Sequence, residues 1–446
     1  MQRDFSRSGN PRHRKRYSAP RRLLPPDQPA LDPLISPSNT RLIPSSADRP
    51  GDDPIFALNG EANKRAAAGE EILNSTLGAL MDDEGKLAVM PSVFAAYESV
   101  SAQCAAGYAP IAGPPAFLSA VIEDLFGTSE LGKHAVAAAT PGGTGALSSA
   151  IVNFLEPGQE LLTSSYYWGP YGVLATHSGR GVKTFEMFEG EGGGLNAAAL
   201  EAALEELAAK QGRILLILNT PCHNPTGYTI TDADWNAILP ILQRVAERVP
   251  LTLLLDMAYS KFAAPGSVTW PKHLERLLGS CTLLFAWTAS KAFAQYGARV
   301  GALVAVDSDA LQLKRLQNAL SYSCRGTWSN CNHFGMLAIT ELLKEGELRT
   351  RCEAEREEVR QLLSERVQVF NALAAKAGLG YPPYEGGFFV SVFTPDAKRT
   401  AELMRDDGVF VVPLNGAVRI AICATPATQL PRLVQSLKLA LAAVNG

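Results

Sequence analysis

Short apolar runs constrain this chain more than any other feature: Ala135–Ala139, Glu160–Thr163, Ile214–Leu218, Leu251–Leu255, Thr282–Trp287 and Val300–Val306. They do not alternate apolar with polar residues, so each predicts a strand covered on both faces. Between several of them lie stretches of helical character, among them Ala197–Lys210 and Asp232–Arg248. Buried strands separated by helices predict an α/β fold with a mainly parallel sheet between helical layers. In such sheets ligands bind beyond the carboxyl ends of the strands, so the residues that end these runs are the first place to look for chemistry.

Four strand ends carry suggestive residues. After Ala139 comes Thr140-Pro141-Gly142-Gly143-Thr144-Gly145, a glycine turn leading into the apolar Leu147–Val152. A strand, a glycine turn and a helix start suit a phosphate, because backbone N–H groups can approach it and the helix N-terminus favours an anion. The spacing is neither the Walker nor the dinucleotide pattern. After Leu218 comes Asn219-Thr220-Pro221-Cys222-His223-Asn224-Pro225-Thr226-Gly227, and Asp256 ends its run with Tyr259 three residues later. After Trp287 comes Thr288-Ala289-Ser290-Lys291, with Arg299 eight residues beyond the lysine. A lysine between a buried strand and a small-residue turn loses solvation, which lowers its pKa and lets its amine attack a carbonyl. Arg299 offers a planar fork to a phosphate. Each feature alone has a plainer reading: a surface Ser-Lys pair, a tight turn, loop punctuation or a helix cap.

Taken in order, the glycine turn, the Asn-Pro turn, the strand-end Asp with its Tyr, and the Lys with its Arg resemble the fold-type I pyridoxal-phosphate enzymes. The likeness is closest to the class I aspartate and aromatic amino acid aminotransferases, and it runs from about Ile72 to the C-terminus. It implies pyridoxal phosphate on Lys291, Asp256 beside the pyridine nitrogen, and Tyr259 and Asn224 at the ring oxygen. It also implies Gly143, Thr144, Thr288 and Arg299 around the cofactor, Trp168 stacked on its ring, and Tyr108 reaching the phosphate of a neighbouring subunit. Gly78, Trp168 and Asn224 would line the substrate, Arg419 would take its α-carboxylate, and Arg325 would take a distal carboxylate across a homodimer. Thr288 stands where many relatives have serine, Trp328 where many have tyrosine, and Gly386-Gly387-Phe388-Phe389 matches only loosely. These departures bear on amino-acid preference more than on chemistry.

The resemblance implies amino-group transfer from an L-amino acid, dicarboxylic or aromatic, to a 2-oxo acid such as 2-oxoglutarate. The alternatives are β-elimination or decarboxylation at the same cofactor, or a non-catalytic binding protein of aminotransferase-like fold. An NTPase is disfavoured because the glycine turn lacks Gly-Lys-Ser/Thr.

At 446 residues the chain is long enough for two domains. The expected division is a basic, Pro-rich disordered arm at 1–50, a small α+β domain made from both chain ends (51–92 and 345–446), and a large cofactor domain at 93–344. The long run from Glu341 to about Ala375 is expected to be one helix, its Arg and Glu residues a solvated face. A net charge of −3 points to neither nucleic-acid nor membrane partners. The seven cysteines show no Cys-x-x-Cys spacing, so the histidine and cysteine pattern predicts no metal site and reduced thiols in a cytosol-like compartment. The arm, with Arg3, Arg7, Arg12, Arg14, Lys15, Arg16, Arg21 and Arg22, leaves organelle import open, although prolines at 11, 20, 25 and 26 oppose an amphipathic transit helix. A start set too far upstream is a further reading. His223, beside Asn224, is read as a satisfied core residue.

Overall fold

The apolar runs become strands because their β-branched and leucine side chains can be buried on both faces of the pleat. In the computed structural model, which describes residues 41–47, 49–51, 53–190 and 193–445, the strands in chain order are β1 (Leu73–Asn74), β2 (Ala135–Pro141), β3 (Glu160–Ser164), β4 (Gly181–Phe185), β5 (Ile214–Asn219), β6 (Leu251–Asp256), β7 (Thr282–Thr288), β8 (Val300–Val306), β9 (Phe389–Phe393), β10 (Val409–Phe410), β11 (Val412–Pro413) and β12 (Ala417–Ala421). The expected disordered arm lies outside the described residues as far as residue 40. Up to Asp53 the described part holds one helical turn, Pro44–Ala47. The chain from Pro54 onward is a second unit, described below.

Seven strands form the large sheet in the order β2-β8-β7-β6-β5-β3-β4. The neighbours β7/β6, β6/β5, β5/β3 and β3/β4 are parallel, and β8 alone runs against both β7 and β2. Alternate side chains sort to opposite faces. Ile214, Leu216, Leu218, Leu253 and Leu255 join one apolar cluster, while Leu215, Ile217 and Leu254 join another with Ala146, Leu147 and Leu316. The alanines of β2 let the helices Gly142–Phe154 and Ala310–Thr327 approach closely.

A separate domain is built on the antiparallel sheet β11-β12-β9. β1, near the start of the chain, pairs with β10 near its end, so Leu73 and Leu80 share a core with Phe370, Val390, Val418 and Leu433. Among the described residues no helix is long and apolar enough to cross a membrane.

One expected element is divided. The run from Glu341 is two helices, His333–Leu343 and Glu347–Ala377. Asn332 caps the first and Gly346, at φ 151°, turns the chain before the second, a conformation that favours glycine. Nor is the long helix's polar face wholly solvated. Glu355 accepts from the backbone N–H and hydroxyl of Ser92, and Arg356 donates to the carbonyl of Ala292 at 2.9 Å while lying 4.8 Å from the Phe293 ring centroid.

Candidate active site

Strand register gathers the marked residues at one edge of the sheet. Asn219 and Asp256 are paired last residues of β5 and β6. β7 continues beyond Asp256, which pairs with Ala286, to Thr288. The next residues form the short helix Ala289–Ala292, which carries Lys291. Because β8 is antiparallel it starts at this same edge, where Pro141 of β2 pairs with Val300. Arg299 is thereby placed against the glycine turn: a Cβ on Gly142 would fall 2.5 Å from its Nη2, and one on Gly301 2.6 Å from the Gly142 carbonyl carbon.

Asp256 is buried at 6 % exposure. Its Oδ2 accepts from the Tyr171 hydroxyl at 2.6 Å and its Oδ1 from the Ala258 N–H at 3.2 Å. Burial pushes the carboxyl up, while these two donors and the charge of Lys291 pull it back. Asn219 donates to the Asp256 carbonyl at 2.8 Å and accepts from the Asn224 N–H at 2.6 Å. Asn224 in turn donates to the Tyr259 hydroxyl at 3.2 Å, and its Oδ1 lies 3.5 Å from Nη1 of Arg419. Arg419 also donates to the Thr76 carbonyl at 2.6 Å and lies over the Phe389 ring, 4.4 Å from its centroid. The ends of β5 and β6, the Asn-Pro turn and β12 of the small sheet are thus joined through buried polar side chains.

Lys291 as a residue keeps some surface open, yet its amine is enclosed. Burial draws the amine down to about 8; Cys423 opposes this, the positive charges of Arg299 and Arg419 add to it, and Asp256 opposes it. The Nζ donates to the Gly78 carbonyl at 3.0 Å and stands 4.5 Å from the Tyr296 ring centroid. The Tyr296 hydroxyl accepts from the Leu80 N–H at 2.9 Å, so the segment from Gly78 to Leu80 is held by Lys291 at one end and by Tyr296 at the other.

Beside the lysine is a place suited to a phosphate. Gly143 faces Thr288, whose methyl group and Cβ would be 3.6 Å from an added Cβ. The helix Gly142–Phe154 opens here with its N–H groups, and Thr144 lies in its first turn. Among the described residues the Arg299 guanidinium donates to the carbonyls of Tyr296 and Pro141 and to the Ser290 hydroxyl, and to no carboxylate. A guanidinium, a helix N-terminus and hydroxyls without a compensating carboxylate fit an anion. With Asp256 and Lys291 close by, these residues fit a group that carries a phosphate, a basic ring nitrogen and a carbonyl.

Other sequence candidates lie further out. Trp168 packs edge-on against Tyr171, with centroids 5.8 Å apart. Tyr108 is 92 % exposed. Arg325 is exposed near the end of the helix Ala310–Thr327 and donates to the Ser329 hydroxyl at 2.6 Å. Neither of these last two has a described contact with Lys291, Asp256 or Arg419. His223 is enclosed, with Nδ1 2.7 Å from the Thr226 hydroxyl, and burial lowers it to about 3. Sequence reasoning missed Tyr171, Tyr296, Asn219 and Phe389. Tyr171, three residues after Trp168, and Tyr296, five after Lys291, were visible only as nearby aromatics.

Comparison with known proteins gives a consistent picture. The family model described as aminotransferase class I and II matches residues 70–437. The chain is 28 % identical to an aspartate aminotransferase of Pseudomonas aeruginosa, covering 86 % of this chain and 96 % of that one. It is 29 % identical to an aromatic-amino-acid aminotransferase of Paracoccus denitrificans, with the same two coverages. An aminotransferase structure from Anaerococcus prevotii superposes with a TM-score of 0.86 at 32 % identity, covering 91 % of this chain and all of that one.

Proposed function

Because the chain belongs to the class I and II aminotransferases, we propose that it transfers the amino group of a dicarboxylic or aromatic L-amino acid to a 2-oxo acid such as 2-oxoglutarate, using pyridoxal phosphate held by Lys291. The observation that carries this reading is an enclosed lysine amine, drawn down to about 8, near a buried carboxylate at a neighbouring strand end. The cofactor, when bound, supplies an electron sink for the charge that develops at the substrate Cα.

The protein's residues do the rest. Its amine freed from the cofactor by the incoming substrate amine, Lys291 would take the proton from the substrate Cα and deliver it to the cofactor carbon, which a base with a pKa near the working pH does best. Asp256, as an anion, would face the ring nitrogen and keep a proton there. Tyr259 and Asn224 would hold the ring oxygen, and Trp168 would cover the ring. Gly143, Thr144, Thr288 and Arg299 hold the phosphate, with Tyr108 supplied by a second copy in a homodimer. Gly78 and Asn224 line the substrate, and Arg419 grips its α-carboxylate with two parallel N–H donors. In this reading the cofactor domain spans 93–344 and the small domain combines 51–92 with 345–446. The protein works in the cytoplasm.

Incubating the purified protein with pyridoxal phosphate, a panel of amino acids and 2-oxoglutarate tests the reading. The expected products are glutamate and the matching 2-oxo acid in equal amounts, greatest for aspartate or an aromatic amino acid. Ammonia release or a decarboxylated amine without glutamate would replace transfer with elimination or decarboxylation. No turnover of any amino acid would leave an aminotransferase-like binding protein.

A further inference from the structure

Tyr171 lies in the helix Pro170–His177 and is fully buried. Its ring is stacked on Tyr167 with centroids 6.2 Å apart and meets Trp168 edge-on at 5.8 Å. It belongs to the apolar cluster that includes Leu147, Ile217 and Leu254. In this apolar setting its hydroxyl makes one hydrogen bond among the described residues, to Asp256 Oδ2 at 2.6 Å. A buried phenol whose described partner is this carboxylate alone is a donor committed to it. Losing that donor would leave a buried anion short of a hydrogen bond, which is costly.

We infer that Tyr171 is a positioning residue: by donating to Oδ2 it orients the Asp256 carboxylate and keeps it anionic toward the ring nitrogen of pyridoxal phosphate. This sets the lowest pH at which the cofactor is held productively, and it rests on the function proposed above. The groups facing Asp256 are consistent with the inference. Burial drives Tyr171 and Tyr259 well above the ordinary tyrosine range, so both stay neutral. Lys291 is the charged group that favours the anion, and burial is what opposes it. Tyr171 and the Ala258 N–H are therefore the neutral donors that stabilise the charge. Of these two, the side chain is the one open to replacement.

The test is the dissociation constant of pyridoxal phosphate from the apoprotein, measured against pH by absorbance titration, for wild type, Tyr171→Phe, Tyr167→Phe and Asp256→Ala. Removing a donor from a charged group raises the carboxyl pKa, so the acid limb of cofactor binding in Tyr171→Phe moves up by about one pH unit. Turnover at neutral pH falls by up to about tenfold, the factor that one pH unit carries. Tyr167→Phe, which loses a hydroxyl from the same aromatic stack, leaves the limb in place. If Tyr171→Phe lowers only the melting temperature and keeps the wild-type limb, Tyr171 is a packing residue and the inference is overturned. If Asp256→Ala keeps the wild-type limb and turnover, the assignment of Asp256 fails instead, a separate result. Should Tyr171→Phe not fold, site-specific difluorotyrosine at position 171 replaces it. As a more acidic donor of similar shape it is expected to move the limb down, and an unmoved limb overturns the inference.

Discussion

Lys291 is drawn below an ordinary lysine chiefly because its amine is enclosed, and the sign of the consequence follows from that. Its folded value is about 8 against 10.5 in open chain, so between those values the unfolded chain binds the extra proton. Apoprotein stability should therefore rise with pH across this window, and Lys291→Met should flatten the rise in urea unfolding curves. Uptake of pyridoxal phosphate by the apoprotein should likewise reach its plateau just above pH 8, whereas a lysine with the open-chain value would still be gaining at pH 10. Gly78 is constrained from another direction. A Cβ there would sit 2.4 Å from Cζ of Phe389, the ring beneath Arg419. Gly78→Ala should displace both and lower kcat/KM for every amino acid, with about 1–3 kcal/mol of overpacking visible in denaturant curves. Arg419 and Arg325 should separate by substrate, since charge-assisted bonds to a carboxylate are worth about 1.5–3 kcal/mol. Arg419→Leu should weaken all amino acids, and Arg325→Leu should weaken dicarboxylic ones while sparing phenylalanine. An equal loss for aspartate and phenylalanine in Arg325→Leu would make that arginine structural.

At the scale of elements, the long helix Glu347–Ala377 reaches from one core to the other. Near its start Cys352 is buried with the large sheet, and farther along Leu363, Val367 and Phe370 are buried with the small one. Between these points Arg356 closes the short helix Ala289–Ala292 by donating to its last carbonyl. It also covers Phe293, the second residue after Lys291. Arg356→Ala removes a hydrogen bond and a cation–π contact, so thermal unfolding should show a loss of about 1–3 kcal/mol. Arg356→Lys, which keeps charge without the planar fork, should recover only part of it. If both variants unfold like wild type, the contact adds nothing.

For the whole molecule, the site residues divide between those joined within one chain and those facing outward. Asp256 is joined through Asn219 to Asn224, and Asn224 to Tyr259 and Arg419, all by hydrogen bonds of buried side chains. Tyr108, by contrast, is 92 % exposed, which suits a side chain that serves a second copy. If it does, mixed dimers of Lys291→Ala and Tyr108→Ala should contain one site in which both residues are native. Co-expressing the two variants should then restore activity that neither has alone, measured as glutamate formation. Absence of complementation in confirmed mixed dimers would place Tyr108 outside the site.

Much of this architecture is local in origin and was legible from residues near one another in the chain. Unbroken apolar runs determined which strands are buried on both faces, and the residues that follow their ends, Gly142, Asn224, Asp256 and Lys291, determined which edge carries the chemistry. Gly346 cuts an expected helix in two through its backbone conformation, a break the sequence hid because the composition around it stays helical. What only the tertiary structure decided are contacts between residues far apart in sequence. Tyr171 meets Asp256 across 85 positions, Lys291 meets Gly78 across 213, and Arg419 meets Thr76 across 343. A buried tyrosine reads in sequence as one more core aromatic, since its hydroxyl gains meaning only from the group it faces. The antiparallel direction of β8 is likewise invisible in its apolar run, because strand direction leaves no mark on composition. Yet that direction brings Arg299 to the glycine turn and assembles the charge around Lys291.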